Sequence, residues 1–598
     1  MLAATGERAA PGDDAPPEER GGGRVARWLA RAAPHAPAIA AAVAGLAWLF
    51  HHVGASILVP TRIAWVMAGD WAAGYLGWAF FRDAPFALPL GTNPGYPYPV
   101  GSTVAASDSI PIVAILLRPL SGVLPDDFQF IGAWLAIAFA LQGFVGAKLV
   151  KLVTPSALAQ ALGGALFAVA PPLIHRVVGP NTGHASLSAH WLVLAFLWLA
   201  LAPVEPGRVR PRLAAAGALL AVASGVHPYH LAAGVAISLA LILRLRLVDR
   251  VLGWRGAAAG AAGVLAIAAA GLWLFGYLAS GTATPTAGFG SYSADLLFLV
   301  NPIHWSRLWR GFAFGRGQYE GFGYLGAGGL ALVAAAAVAL AVRPRAVSGA
   351  RWRAALPALG AALVLAAYAL SDTITVAGRK VAHVPVYDWI PFVGSTFRSS
   401  GRFVWSLHYL VLLAAIAALA RAGRQRPIAV AAGLAAALAL QALDVRPPIP
   451  IVRDRDWGRP RSDVWETARG AYRHVAMVPP YLVANGGQVA PEPWGCDRVW
   501  TWDAQVPPAD VARRLSATFN SGYLGRLEAG PAVASCVEQR AALAAGRLDP
   551  ETIHVVHPRY LPLLAAARAT CGIVDALLVC VDGARRDPFS DALRRSLR

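Results

Sequence analysis

The sequence predicts a polytopic α-helical membrane protein that ends in a C-terminal α/β domain. Of its 598 residues, 57% are apolar and only 14% are charged, and the mean hydropathy is +0.51. That composition is too apolar for a soluble protein of this length. Eleven apolar runs approach the roughly 20 residues that a helix needs to cross the hydrocarbon core. After Leu443 the apolar runs shorten and charged residues become more frequent, which indicates a separate unit.

The predicted spans come first in the chain, after an N-terminus rich in Gly, Pro and acidic residues. We expect residues 1–35 to be disordered and cytoplasmic, residues 36–443 to form the membrane domain, and residues 444–598 to form the α/β domain. The predicted spans are 37–59, 128–147, 156–174, 186–203, 211–226, 228–247, 256–278, 325–342, 354–371, 403–421 and 426–443. Segment 109–124 is short and contains Arg118, so we expect it to lie on the membrane or to be re-entrant.

The basic residues predict the orientation. If segment 109–124 does not cross, the Arg- and Lys-rich connections all fall on the cytoplasmic side, as the positive-inside rule requires. These residues are Lys148, Lys151, Arg208, Arg210, Arg212, Arg244, Arg246, Arg250, Arg255, Arg343, Arg345, Arg351, Arg353, Arg421, Arg424 and Arg426. The long first loop, 60–127, and the C-terminal domain then lie outside a bacterial inner (plasma) membrane. The net charge of +19 is explained by these connections, and no basic helix of the kind that binds nucleic acid is present in the sequence.

The C-terminal domain combines short strand-like runs with two helix-like segments, 508–516 and 536–547. The strand-like runs are 474–478, 481–484, 552–556 and 571–581. All four cysteines are in this domain: Cys496, Cys536, Cys571 and Cys580. In an extracytoplasmic domain they predict two disulfides with three possible pairings.

Four short motifs carry a family resemblance. They are GDWAAGYLGW at 69–78, SDSIP at 107–111, HASLSAHW at 184–191 and FRSSGRF at 397–403. With the many short-looped helices and the outer C-terminal domain, they resemble a bacterial family of GT-C-like membrane proteins, over residues 60–450. The GT-C superfamily consists of integral-membrane glycosyltransferases that take sugars from polyprenyl-phosphate carriers. The resemblance implies the lipid bilayer, a polyprenyl-phosphate sugar and an extracytoplasmic glycan, lipid or protein acceptor as partners.

Two carboxylates in the first outer loop are the candidate catalytic groups. The resemblance implies that Asp70, about ten residues past the first span, is the base that takes the proton of the acceptor hydroxyl. Asp108 is the candidate second carboxylate, which would orient the acceptor or a divalent metal such as Mg²⁺ or Mn²⁺. A structural alternative is that Asp70 caps a helix starting near Trp71 and that Asp108 or Ser109 caps the following segment.

Arg398 and Arg402, just before the tenth span, are the candidate ligands of the donor phosphate. Arg binds phosphate oxygens in a bidentate manner, and the leaving phosphate develops charge that must be stabilised. The alternative is that both residues flank a span and extend to lipid headgroups, although Arg is disfavoured on the outer side.

Several histidines and one glutamate are candidate substrate-binding residues at the outer ends of spans. They are His184, His190, His227, His230 and Glu320. The histidines could instead form interfacial hydrogen bonds. No H-x-x-x-H or H-E-x-x-H spacing is present, so we do not expect a catalytic zinc site. Whether another divalent metal is needed stays open.

Three functional hypotheses follow. The first is a membrane glycosyltransferase of GT-C type with a lipid-phosphate donor. The second is a transporter or flippase of a lipid-linked or anionic substrate, which predicts inverted repeats and broken helices. The third is a noncatalytic GT-C-like scaffold that binds glycans.

Overall fold

A computed structural model describes residues 33–178, 183–279, 286–342, 349–447, 454–484, 487–488 and 499–596. Most of the predicted N-terminal segment, residues 1–32, lies outside the described residues. The helices, α1 to α20 in chain order, are Ala36–Val53, Gly69–Phe81, Pro111–Leu117, Ile131–Lys151, Ala157–Ala168, Pro171–Ile174, Trp191–Leu201, Val209–Val226, Pro228–Leu243, Trp254–Leu274, Gly326–Val342, Gly349–Ala369, Val386–Trp389, Pro391–Thr396, Trp405–Ala422, Pro427–Asp444, Val506–Arg514, Ala529–Ala544, Leu561–Ala566 and Pro588–Ser596.

The strands are short by comparison. In chain order, β1 to β12 are Thr92–Asn93, Ser102–Thr103, Thr373–Val376, Arg379–His383, His474–Val478, Leu482–Ala484, Gly487–Gln488, Thr518–Phe519, Gly522–Tyr523, Thr552–Val556, Thr570–Val574 and Leu577–Val581.

The described part of the chain has nine helices that are long and apolar enough to cross a membrane, which fits a polytopic membrane protein. Two of the eleven predicted spans correspond to shorter apolar helices, Ser186–Leu201 and Gly326–Val342, so the predicted count is not reproduced by length alone. The first of these is short because the chain enters it through the 3-10 turn Ser186–Ser188, before the regular helix starts at Trp191.

The bundle packs through small residues. Helix α1 crosses α4 so closely that a Cβ on Gly45 would lie 2.3 Å from the carbonyl oxygen of Phe139. On the facing helix, a Cβ on Gly143 would lie 2.1 Å from the carbonyl oxygen of Ala41. Such close backbone approach is typical of helix contacts in membranes, where lipid offers no hydrophobic drive for association.

The first loop is folded around α2, which is largely buried. Arg82, at its end, donates hydrogen bonds to the carbonyl oxygens of Ser121, Leu124 and Pro125 at 2.7–3.0 Å. This holds the turn after α3 against α2. The ambiguous segment 109–124 forms only the short helix α3 and a 3-10 turn, Arg118–Leu120.

The C-terminal residues form a mixed five-stranded sheet in the order β11-β12-β10-β5-β8. Strand β5 lies between β10 and β8 and is parallel to both, whereas β12 is antiparallel to its two neighbours. The predicted run 571–581 splits into two strands because Asp575 and Ala576 adopt positive φ angles, which make a tight hairpin. The sheet pairs Cys571 with Cys580 in a disulfide; Cys536 is also disulfide-bonded, and Cys496 lies outside the described residues.

These C-terminal residues dock on the first loop. The backbone N–H of Tyr98 donates to the carbonyl oxygen of Phe519 in β8 at 2.7 Å, and the N–H of Phe519 donates to Gly95 at 3.0 Å. An ion pair of 2.7 Å joins Arg513 of α17 to Asp127. The C-terminal region, by which we mean the described residues between 454 and 596, therefore holds the first loop in place.

Candidate active site

One cavity of about 390 Å³ collects most of the predicted site residues. It lies at the end of the bundle where α8 ends, α9 begins and α10 ends, beneath the first loop and the C-terminal region. Its wall includes Asp70, Asp108, His184, His227, Tyr229, Tyr277, Phe397, Arg398, Arg402, Tyr523 and Arg526. Six of the nine predicted catalytic, phosphate-binding and substrate-binding residues thus share one space.

Asp70 does not cap a helix. The N-cap of α2 is Ala68, and Asp70 lies inside the first turn. The capping oxygen comes from the C-terminal region: the N–H of Gly69 donates to Asp503 Oδ1 at 2.8 Å. Oδ1 of Asp70 is buried and, among the described residues, accepts no hydrogen bond. The capping alternative is therefore wrong for Asp70, whose side chain lies in the cavity wall and is contacted there by Tyr523.

Asp108 does not cap a helix either. Helix α3 has Ile110 as its N-cap, and Ser109 donates instead to the carbonyl oxygen of Gly74 at 2.7 Å. Both Asp108 and Ile110 adopt positive φ angles, 57° and 48°. Non-glycine residues in this conformation are strained, and such strain is often found at functional sites. The loop is held close to α2 by Gly77, where a Cβ would lie 1.9 Å from Ser107 Oγ.

His184 lies between the two carboxylates. Its Nε2 is 3.6 Å from Asp70 Oδ2, and its Nδ1 is 3.4 Å from Asp108 Oδ2. An imidazolium can donate to both carboxylates at once, whereas a neutral imidazole can donate to only one. The His184 ring therefore lies between Asp70 and Asp108 and faces one carboxylate with each of its nitrogens. Ser186 adds a hydrogen bond from its hydroxyl to Asp108.

His227 faces the same carboxylate from the start of α9. Its Nδ1 accepts a hydrogen bond from the N–H of Tyr229 at 3.2 Å, which assigns the ring proton to Nε2. Nε2 lies 3.9 Å from Asp108 Oδ1. Burial lowers the pKa of His227 to about 3. Burial acts to raise the pKa of Asp108, but hydrogen bonding from His184 and the nearby imidazoles lower it below its usual value.

The two predicted phosphate ligands, Arg398 and Arg402, differ in burial and in their partners. Arg402 is buried and pairs with Glu320 through two hydrogen bonds, of 2.6 and 2.9 Å. Glu320 also accepts from Arg176 at 2.6 Å, so one carboxylate serves two arginines. Burial opposes the charge of Glu320, but the two guanidinium groups hold its pKa well below the usual value. Arg398 is half-buried in the cavity wall, over the ring of Tyr292.

Three predicted substrate-binding residues are not in the cavity wall. Glu320 is the buried partner of the arginines. His190 is fully buried and hydrogen-bonds through Nδ1 to the Tyr409 hydroxyl at 2.7 Å. His230 is also fully buried, with Nε2 3.2 Å from the carbonyl oxygen of Ser186. The expectation that His190 and His230 line the open site is therefore not met, because both side chains are buried away from the cavity, and Glu320 is engaged by two arginines.

The sequence reasoning missed two cavity residues of the C-terminal region, Tyr523 and Arg526. Burial raises the pKa of Tyr523, whose hydroxyl faces Asp70. Arg526 donates to the carbonyl oxygen of Thr396 at 2.8 Å, two residues before Arg398. Neither residue lies in a recognisable motif, and both reach the cavity only through docking over more than 100 residues of chain.

Among the described residues, no group of three or more His, Cys, Asp or Glu side chains is arranged to hold a metal ion.

The comparisons with known proteins identify the family. Taken with the fold and the cavity, the chain is a polytopic helical membrane protein with a polar site at one end of its bundle. It belongs to the DUF6311 family, a domain of unknown function, which matches residues 42–446. The DUF6311 C-terminal domain matches residues 464–582. Neither a curated protein nor a solved structure matches the chain.

Proposed function

We propose that this protein is a membrane glycosyltransferase of GT-C type, which moves a sugar from a polyprenyl-phosphate donor to an extracytoplasmic acceptor. The observation that carries the proposal is the single cavity that has the bridged pair Asp70 and Asp108 in one wall and Arg398 in another. Glycosyl transfer needs both: a base for the acceptor proton and a cation for the leaving phosphate.

At the carboxylates, Asp70 accepts the proton of the acceptor hydroxyl as that oxygen bonds to the anomeric carbon. The bond between the anomeric carbon and the phosphate oxygen breaks, and its electron pair leaves with the phosphate. Asp70 suits the role of base because it is mostly buried and its Oδ1 has no hydrogen-bond donor among the described residues. Asp108 and His184 make the part of the cavity next to Asp70 polar, and they can share the proton that Asp70 takes up.

At the arginines, Arg398 is the proposed phosphate ligand. Preorganised cations in a water-poor site stabilise developing charge without reorganisation. Arg402 contributes differently from the sequence-based expectation, because Glu320 already occupies two of its donor groups. We assign Arg402 to shaping the cavity wall and Arg398 to the phosphate contact.

The same proposal includes the orientation: eleven spans, the N-terminus in the cytoplasm, and the first loop and C-terminal α/β domain outside the plasma membrane. The cavity supports it, because it lies where α8 ends and α9 begins, so the turn that follows α9 is at the opposite end of the bundle. That turn carries Arg244, Arg246 and Arg250, the residues expected on the cytoplasmic side.

An Asp70→Asn substitution tests the function. Cell-surface glycans are profiled in a deletion strain complemented with the wild-type chain, with Asp70→Asn, or with Asp83→Asn. Asp83 is a matched control because it lies in the same loop but outside the cavity wall. Membrane levels of the three proteins must be equal.

We expect the deletion and Asp70→Asn to lose the same sugar and Asp83→Asn to retain it. If the deletion loses a sugar that Asp70→Asn restores, Asp70 is not the base. If the deletion changes no glycan, the transferase proposal fails, and transport or a scaffold role becomes the better explanation.

A further inference from the structure

The segment Val386–Thr396, which comprises α13 and α14 and which we call the apolar lip, exposes several large apolar side chains. Trp389 is 77% exposed, Phe392 is 68% exposed, and Val386 and Ile390 are about 40% exposed. Isolated exposed apolar residues are common, but four large ones within seven residues, interrupted by the exposed Asp388, are a patch of the kind that marks an interaction surface.

The lip is fixed to the protein on its inner side. The Tyr368 hydroxyl donates to the carbonyl oxygen of Val393 at 2.6 Å, and Thr286 donates to that of Ser395. Gly394 is so close to the ring of Phe289 that a Cβ would lie 2.8 Å away. The exposed side chains are therefore presented by an anchored segment, and they point away from these contacts.

The exposed surface continues onto the bundle. Thr396, the last residue of the lip, and Phe397, which follows it, line the same cavity as Leu278, just after α10. Leu278 and Trp273 of α10 are about half exposed. Helix α10 is among the least buried of the long apolar helices, as expected for a helix that faces lipid.

We infer that the apolar lip inserts into the lipid leaflet at the cavity end of the bundle, at the boundary between headgroups and acyl chains. Trp and Phe are favoured at this depth of a bilayer. Because the lip lies next to a lipid-facing helix, lipid can cover its apolar side chains without a protein partner. Two basic residues just before the lip, Arg379 and Lys380 in β4, are exposed and suit contact with anionic headgroups.

The inference deepens the proposed function and rests on it for its meaning. The cavity wall between Leu278 and Phe397 then lies at the level of the leaflet, beside Arg398. A phosphate carried on a lipid can reach Arg398 from the bilayer without its tail entering water. The substrate class that this geometry favours is therefore a lipid phosphate, in preference to a soluble sugar nucleotide.

The test measures membrane depth and needs no transfer assay. The full chain with Trp389→Cys is labelled with the environment-sensitive dye NBD and reconstituted in nanodiscs of phosphatidylethanolamine and phosphatidylglycerol. Quenching is compared between lipids that carry a doxyl group near the headgroup and iodide in solution. Arg469→Cys, an exposed position of the C-terminal region, is the matched control.

We expect doxyl lipid to quench most of the emission at position 389 and iodide to have little effect, with the reverse at position 469. Phe392→Cys gives a second reading on the other helix of the lip. Free access of iodide to either lip position, without quenching by doxyl lipid, would overturn the inference. That outcome would leave the glycosyltransferase proposal standing, because the glycan profile of Asp70→Asn is measured separately.

Discussion

The two charged walls of the cavity are built in opposite ways. At the carboxylates, Asp70 and Asp108 are 15% and 25% exposed in their side chains and face only imidazoles within ion-pair distance. At the arginines, Arg402 is buried against Glu320, which also binds Arg176. The carboxylates of the first wall therefore stay partly accessible. At the second wall the charge of Arg402 is compensated by the buried Glu320.

This difference separates groups that are available to a substrate from groups that hold the fold. A buried ion pair contributes little net stability, but removing one partner leaves an uncompensated charge. The carboxylates of Asp70 and Asp108 are partly exposed and are not held by an arginine or lysine, so an amide at either position costs little structurally. Substitutions at the two walls should therefore divide into losses of activity and losses of stability, and the following predictions test that division.

The largest effect is expected for Asp70→Asn. The amide has nearly the same shape but cannot accept the proton, and general base catalysis typically contributes about 10²- to 10⁴-fold. We expect that loss in turnover of the purified enzyme, with an unchanged unfolding temperature. A fall in unfolding temperature comparable to the loss of activity would place Asp70 among the structural residues instead.

For Glu320→Gln we expect the opposite of Asp70→Asn: a loss of stability is the main effect. The substitution leaves Arg176 and Arg402 facing each other without a compensating charge, at a cost of about 3–5 kcal/mol in the free energy of unfolding. Thermal unfolding in detergent measures this cost. Arg398→Gln, which removes an arginine from the same cavity without breaking that pair, is the control and should unfold like the wild type.

Arg398→Gln tests substrate contact. A hydrogen bond to a charged group contributes about 1.5–3 kcal/mol, so the KM for a polyprenyl-phosphate sugar should rise roughly 10- to 100-fold. Steady-state kinetics with varied donor measure it. An unchanged KM would show that the phosphate binds elsewhere and would return Arg402 or Arg526 to consideration.

The buried His227 predicts acid sensitivity. Its pKa is about 3 in the folded state against 6.5 in the unfolded state, so below pH 6.5 only the unfolded chain takes up the proton. Stability is unaffected above that pH and is expected to fall by about 2 kcal/mol at pH 5. Asp108 does not contribute in this window, because its folded pKa lies below 3.8. The difference between the unfolding temperatures at pH 7 and pH 5 should be smaller in His227→Gln than in the wild type, and the remaining difference comes from other buried histidines such as His554, whose pKa burial lowers to about 4.

The smallest effect is expected for Asp503→Ala. Loss of a helix-capping oxygen costs about 1 kcal/mol, and the first turn of α2 carries Asp70. We expect a small fall in unfolding temperature together with a several-fold fall in activity, and Asp503→Asn should recover both. If activity falls and Asp503→Asn does not recover it, the role of Asp503 is not that of a cap.

The sequence predicted most of the residues that line the cavity, but not which neighbouring residues lie outside it. Six candidates meet in one cavity: Asp70, Asp108, His184, Arg398 and Arg402, which come from the four motifs, and His227, which was chosen for its place at the outer end of a predicted span. The motifs gave their positions at helix ends, and helix ends on the same side of a bundle are near one another. The sequence did not predict that His190 and His230 point into the bundle. An all-apolar span has no periodicity that distinguishes its interior side from its lipid side.

The sequence by itself determined the apolar helices and the longer strands of the C-terminal sheet, because hydrophobic length and periodicity are local properties. It did not predict the two-residue strand β8 or the hairpin that divides 571–581. Only the tertiary structure decided which charges stay accessible. The pairing of Glu320 with Arg176 and Arg402, and the supply of Asp503, Tyr523 and Arg526 by the C-terminal region, join residues from 82 to 434 positions apart in the cases measured here. Contacts at such separations depend on how helices and loops dock, and docking energy is spread over many residues that carry no local signal.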